Sequence, residues 1–347
     1  MFNYLNPFPS SSSSTTTEVT ELLIYPIKSC RGISLKSSFL TTHGLDLDRN
    51  WMFVSGDDHK FITIRDISSM TLIDTAFATA KSPSDSGSED AEYLIISIRN
   101  TDKKVMVPAR PTEQWLKDNT SLTQVDIWGC NTDGYVYKDE INGIFTEFFK
   151  KDVKLAYKGP TPRILTGNGA PEVLGREAST NFPDVLPVLI ANEASLRELN
   201  QRLVKKGTDE ITIERFRPNI IVRGNDEGNH GDTAPGAWTE DDWKRVRIVH
   251  SPDSGLLSTA LGSNAVDIDI QARCARCQVP NVNPETAEKH KHEPWDTLVS
   301  YRRIDEGIKW KPCFGMLGVP RTDGPIAVGM KFEVLETTDN HKYMKGF

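Results

Sequence analysis

The sequence predicts a mixed α/β fold that is rich in β-strands, and three observations carry that expectation. Short apolar or alternating runs recur from Val19 onward, separated by turns rich in Gly, Ser and Asp, which is the pattern of a β-rich chain. Only two stretches repeat their apolar residues with a helical period. The chain of 347 residues is long enough for one large or two ordinary domains, and so for a sizeable core.

In order along the chain, residues 1–17 end in a Ser/Thr tract with too little apolar surface to order itself, so they predict a disordered leader. Val19, Leu22, Leu23, Ile24 and Ile27 form a first strand that runs into Lys28-Ser29-Cys30-Arg31-Gly32. Further strands are expected over 51–54, 60–64, 93–98, 104–107 and 125–128, with turn signals at 55–58 and over 82–90. Residues 139–151 carry one apolar stripe (Ile141, Ile144, Phe145, Phe148, Phe149) and predict a helix closed by Lys150 and Lys151. A second helix is expected over 192–206, capped by Asn192 and stopped by Gly207. The Gly-, Pro- and Thr-rich stretch 161–183 reads as a long loop, and 225–237 as a polar one. Residues 243–249 alternate again, and 326–335 read as a hairpin turning at Gly329, followed by a polar tail. The sequence carries no internal repeat and no phosphate-cradling P-loop.

Charge and cysteine usage exclude some classes. The 41 Lys and Arg against 48 Asp and Glu leave a net charge of −7, which argues against a general nucleic-acid binder but allows a local basic pocket. Five scattered cysteines (Cys30, Cys130, Cys274, Cys277, Cys313) make no disulfide framework, so a reducing compartment is expected. No apolar run approaches the roughly 20 residues of a membrane span. The start of the chain has no basic region leading into an apolar one, so a secretory signal is not expected. The reading is intracellular and cytoplasmic; the leader gives no support for association with a mitochondrial surface.

The chemistry concentrates at Arg273-Cys274-Ala275-Arg276-Cys277. Two thiols stand three apart, each preceded by an arginine whose charge favours thiolate. Upstream, 266–270 alternates as a half-buried strand, and downstream Pro280 and Pro284 force an irregular path. Four readings remain open for the pair. They are two reduced structural cysteines, a zinc site with His290 and His292, a thioredoxin-like redox pair, or a single thiolate binding a metal that an anionic cofactor holds. Against zinc, His-x-His is shorter than the usual spacing; against a redox pair, the prolines that follow cannot open a helix.

Several cations sit beside strand ends rather than on helix faces: Lys28, Arg49 before Trp51, Arg217 before Pro218, and Arg276. Burying such charges is costly unless an anion pairs with them. Together with a thiolate they predict a pocket for an anionic, phosphorylated cofactor, because Arg grips phosphate as a fork and Lys as a point charge.

Five stretches carry a resemblance. They are 24–32 (Ile-Tyr-Pro-Ile-Lys-Ser-Cys-Arg-Gly), Gly44-Leu45 with Asp48-Arg49-Asn50-Trp51, Asn192-Glu193-Ala194-Ser195-Leu196, Phe216-Arg217-Pro218-Asn219, and Arg276-Cys277. In this order they resemble the MOSC-domain family (molybdenum cofactor sulfurase C-terminal domain) with its N-terminal β-barrel partner. Within it they are most similar to the mitochondrial amidoxime-reducing component group and its bacterial relatives. The resemblance implies a MOSC β-barrel core with flanking helices and an N-terminal β-barrel-like domain. It divides the chain into the leader 1–17, an N-terminal β-rich domain 18–135, a helix and linker 136–169, the MOSC domain 170–336 and a tail 337–347.

The resemblance also implies a molybdenum cofactor, a molybdopterin whose Mo takes Cys277 as its protein ligand while Cys274 is none. Lys28, Ser29, Arg49, Arg217 and Asn219 match residues that hold the pterin and its phosphate, with Arg276 beside the ligand. Pyridoxal phosphate binding is a further association at family level. The implied activity is reduction of N-hydroxylated compounds, amidoximes and hydroxylamines, with electrons from a cytochrome b5-type haem protein and its NADH-dependent reductase. The alternative is a sulfur-carrier or cofactor-handling module with a persulfide on Cys277. Val185-Leu186 stands where relatives carry Thr-Ser, and Leu317 where an aromatic residue can occur.

Overall fold

The structure, a computed structural model, describes residues 17–80, 91–224, 236–249 and 265–346. The leader up to residue 16, the polar stretch 82–90 and most of the expected loop 225–237 lie outside the described residues.

A ring of strands organises the C-terminal half. In spatial order it runs Ile220–Gly224, Val188–Asn192, Cys313–Pro320, Val266–Ala275, Trp243–Val249, Lys331–Thr337 and Thr17–Ile24, which pairs back onto Ile220–Gly224 and closes the barrel. Ile33–Leu35 adds to Thr17–Ile24 as a further strand. Closure leaves no free edge in the ring. Thr17 pairs with Gly224 and Phe332, so the first strand takes in the last residue of the expected leader, because ladder hydrogen bonds outweigh the local Ser/Thr composition.

The one parallel pair in the ring, Val188–Asn192 with Ile220–Gly224, is joined by the helix Glu193–Lys205, as a parallel connection requires. Every residue of Val188–Asn192 and of Cys313–Pro320 is buried, which explains continuous runs where a half-exposed strand would alternate. Asn192 caps the helix: its Oδ1 accepts from the Ala194 N–H at 2.9 Å.

The N-terminal half adds a four-stranded antiparallel sheet of Trp51–Ser55, Val153–Lys158, Cys130–Tyr137 and Thr120–Ile127, and a three-stranded one of Ile73–Ala80, Ala91–Ile98 and Lys104–Pro108. The helix Asp139–Phe149 lays its stripe on the first sheet, and Phe145 meets Phe53 edge-on at 5.0 Å. One continuous apolar core includes Phe53, Phe145 and Val153 from this half and Ile220, Ile268 and Phe332 from the ring.

Four expectations need correction. Residues 326–335 form no hairpin: Gly324–Ala327 pairs with Ser37–Thr41, while Lys331–Thr337 pairs in the ring. The turn at Gly329 is real (φ 86°), but its two arms find different partners. Residues 60–64 make only isolated bridges from Lys60 and Phe61. The stretch 161–183 contains the two-residue strands Arg163–Ile164 and Ser179–Thr180 and the short helix Pro171–Leu174. The polar tail is packed: the Met344 N–H donates to Asn168 Oδ1 at 2.7 Å, and His341 is buried against the Trp243 carbonyl. Among the described residues two further helices went unread, Glu113–Asn119 and Trp295–Tyr301, each too short to display a clear period.

Candidate functional site

Lys28, Ser29, Arg49, Arg217, Asn219, Arg276 and Cys277 all line one cavity, together with Arg65, Asp184, Cys274 and Leu317. They arrive there because several strand ends meet at one place. The Lys28 N–H donates to the Trp51 carbonyl and the Arg49 N–H to the Tyr25 carbonyl, both at 2.8 Å. The Leu23 N–H reaches the Asn219 carbonyl at 2.8 Å. Ser29, Arg49 and Arg217 have left-handed backbones (φ 70°, 49° and 59°). That conformation is costly for residues other than glycine and concentrates where side chains must be re-aimed.

Tyr25 is the platform of the cationic wall. Its ring is buried, with the Arg49 guanidinium 4.5 Å and the Arg217 guanidinium 4.1 Å from its centroid. Gly32 makes room for that ring, since a Cβ there would come within 2.7 Å of Tyr25 Cε1. Arg49 donates to Asp48 at 2.6 Å, to Asn219 Oδ1 at 3.0 Å and to the Arg217 carbonyl at 3.1 Å. Arg217 has no such set: among the described residues its buried Nη2 finds no hydrogen-bond partner, and neither does the buried Nε of Arg276. Burial, and then the neighbouring Arg49 charge, draw the Arg217 guanidinium below its ordinary value. Unmatched buried donors of this kind suit an anion.

Lys28 donates to the Phe182 carbonyl at 2.9 Å and pairs with Asp184. Burial lowers it to about 8 against the opposing pull of Asp184. Burial pushes Asp184 up, but the charges of Lys28 and Arg65, with hydrogen bonds from Lys28 and Trp128, outweigh it and hold the carboxyl below its usual range.

The arginines beside the thiols behave differently from the sequence expectation. Arg273 turns away, donating to the His341 carbonyl at 3.0 Å and lying 3.8 Å from Asp242. Arg276 donates to Cys274 Sγ at 2.9 Å and to the Phe216 carbonyl at 2.9 Å, so its charge serves the first thiol. Burial still raises Cys274 above the ordinary thiol value, partly offset by Arg276. The guanidinium at Cys277 comes from Arg65, 3.4 Å from the sulfur and 3.4 Å from Asp184, stacked 4.8 Å over Trp128.

Asn219 also departs from a simple binding role. Its amide donates to the Leu23 carbonyl at 3.1 Å and accepts from the Leu189 N–H at 3.2 Å and from Arg49. It ties three segments and orients Arg49. His290 Nδ1 accepts from the backbone N–H groups of His292 and Glu293 at 3.2 and 2.7 Å. Among the described residues no group of three or more His, Cys, Asp or Glu is placed to hold a metal, so the all-protein zinc set is not assembled there.

Sequence reasoning missed Arg65 and Asp184. Arg65 ends an apolar run, as Arg49 precedes one, so the rule that selected the other cations reaches it too; Asp184 has no local signal.

The folded β-barrel and this cation-lined thiol pocket define a class that the comparisons agree with. A family profile described as the MOSC N-terminal beta barrel domain matches residues 16–152, and one described as the MOSC domain matches residues 177–333. The chain belongs to the MOSC-domain family and carries the N-terminal barrel domain as well.

Among individual proteins it is similar to the mitochondrial amidoxime reducing component 2 of Bos taurus, 29% identical over 320 residues that cover 90% of this chain and 81% of that protein. The Homo sapiens protein of the same name is 28% identical over 325 residues, covering 90% and 81%. A molybdenum cofactor sulfurase of Oryza sativa subsp. japonica is 28% identical over 327 residues, covering 91% of this chain and 34% of that protein.

Proposed function

We propose that this chain is a molybdenum-cofactor-dependent reductase of N-hydroxylated compounds, converting amidoximes and hydroxylamines to amidines and amines. One observation carries the reading: seven residues matched from separate motifs line a single cavity whose buried guanidinium donors at Arg217 and Arg276 are unused among the described residues. Such donors fit a phosphate, and the half-buried Cys277 thiol beside them fits a soft metal. The similarity to amidoxime reducing components supports the same choice.

On this reading Lys28, Arg217 and Arg49 hold the phosphate, Ser29 and Arg276 line the pterin's seat, and Cys277 provides the ligating sulfur. The cofactor, when bound, supplies the two-electron redox chemistry. The chain does the rest. Asn219 fixes the Arg49 fork, the Tyr25 ring spaces the two guanidiniums, and Phe61 and Trp128, in tilted contact at 4.7 Å, flank the Arg65 side. Arg65 bridges Cys277 and Asp184, so the sulfur is oriented from the N-terminal half. The overall reaction consumes two electrons and two protons, breaks the N–O bond, and releases the N–H product and water. The electrons come singly from a cytochrome b5-type haem protein fed by its NADH-dependent reductase.

A second reading, a cofactor-handling module with a persulfide on Cys277, draws support from the rice cofactor sulfurase. Elemental and sulfane-sulfur analysis of protein made in a cofactor-competent host separates the two, paired with benzamidoxime turnover from an artificial one-electron donor. Stoichiometric molybdenum with turnover is expected. Cys277→Ala should lose both, whereas Cys274→Ala should keep most of each. Sulfane sulfur without molybdenum or turnover would overturn the reductase reading, and so would zinc released equally by both substitutions.

A further inference from the structure

The turn between the helix Trp295–Tyr301 and the strand Cys313–Pro320 presents a face that the pocket does not use. Trp310 at its tip is 81% exposed, the most exposed of the large apolar side chains among the described residues. Tryptophan is enriched among the side chains that carry binding energy at protein interfaces. Ile304 and Met344 are also exposed. The tail passes along the base of this face, because Asp305 Oδ1 accepts from both the Gly307 and the Tyr343 N–H groups at 2.8 Å, before Met344 turns to Asn168 and the groove beside it. The Tyr343 carbonyl then lies against Gly307, where a Cβ would meet it at 2.0 Å.

The rim of this face is basic. Arg303, Lys309 and Lys311 are exposed on the turn, with Lys342 and Lys345 exposed in the neighbouring tail, and no ion pair engages any of them among the described residues. Glu306 is the exposed carboxylate within the turn; Asp305 is buried and occupied. In a chain of net charge −7, an unpaired cationic rim around an apolar centre is a local reversal of sign, which selects acidic partners and steers them in.

This face also reaches the pocket. The Pro312 carbonyl, two residues beyond Trp310, accepts from the Arg276 N–H at 2.8 Å, and Cys313 pairs with Ala275. Arg276 adjoins Cys277 in the chain. The Tyr343 phenol is pushed up by burial and then by Cys274 and Asp184, both of which line the cavity.

We propose that the face formed by the 303–311 turn and the 342–346 tail docks an acidic one-electron donor protein, with Trp310 as its apolar anchor and the lysines as its guide. The inference rests on the reductase reading for its purpose. Two successive dockings deliver the two electrons that each N–O cleavage consumes, while the two protons come from solvent and the donor's haem iron is oxidised once per visit.

The test uses full-length holoprotein and, as probe, an acidic soluble cytochrome b5 haem domain, with binding followed by calorimetry. The affinity of the unsubstituted protein should fall steeply between roughly 0.05 and 0.5 M salt. Trp310→Ala, and separately Lys309→Glu with Lys311→Glu, should each weaken it by about tenfold or more. Both variants should reduce benzamidoxime at the unsubstituted rate from a small artificial donor but slowly from the haem domain.

Unchanged affinity in both variants would overturn the docking face. So would self-association abolished by Trp310→Ala, or binding to phosphatidylserine vesicles in place of the haem domain. Absence of turnover with the small donor would count against the reductase reading alone, since the binding measurement still decides the face.

Discussion

Arg217 shows how one residue can be legible in sequence yet gain its meaning from folding. Its position before Pro218-Asn219 marked it as a cation at a strand end, but the left-handed backbone and the unused Nη2 donor belong to the fold. A charge-assisted contact of this kind is worth about 1.5–3 kcal/mol, or roughly ten- to a hundredfold in affinity. Arg217→Ala should therefore purify folded but depleted in pterin, as read by fluorescence of the oxidised cofactor; full occupancy would move the phosphate seat elsewhere. Lys28 gives a pH dependence with a definite sign. Burial draws its ammonium from 10.5 to about 8, so in the unloaded chain the pocket loses a positive charge as pH rises through about 8. Anion uptake, followed with pyrophosphate, should weaken above that pH. For folding the sign is opposite. Between about 8 and 10.5 the unfolded chain keeps this proton and the folded chain has released it, so Lys28's contribution to stability improves with rising pH across that window.

At the scale of elements, the two helices legible in sequence are those long enough to show a period, and both are held by their apolar faces. Phe145 on Asp139–Phe149 is fully buried against Phe53. Phe145→Ala should cost about 3–5 kcal/mol of unfolding free energy, measurable as a shift in denaturant midpoint at constant slope. A change below about 1 kcal/mol would mean that the helix packs loosely on its sheet. The short helices and the 163–180 segment escaped because their identity is set by partners. Ser179–Thr180 is a strand only because Arg163–Ile164 lies beside it.

Across the whole molecule, the loop after Cys277 is gripped by the N-terminal half. Glu285 pairs with Arg31 and, at 2.5 Å, with Arg99; Arg31 also donates to the Pro284 carbonyl at 3.1 Å. These guanidiniums, Arg31 first, hold the Glu285 carboxyl below its ordinary value. The carboxylate is 59% exposed, so solvent screens it and Glu285→Gln should change global stability by less than about 1 kcal/mol. Its local effect should be larger, with faster amide exchange over 278–288 by mass spectrometry and weaker cofactor retention. Unchanged protection of that loop would show that Pro284 and the 3₁₀ turn Val279–Asn281 hold it unaided.

The sequence by itself determined the β-rich class, the two long helices with the Asn192 cap, and four of the cations that line the cavity, because periodicity, capping and strand-end charge are local properties. Tertiary structure decided how Thr17–Ile24 closes the barrel and why the arms around Gly329 part company. It also decided that Arg276 serves Cys274 while Arg65 serves Cys277. The physical reason is directional. A side chain's aim depends on the backbone conformation and on the strand that pairs beside it, and both are fixed by partners far away in the chain.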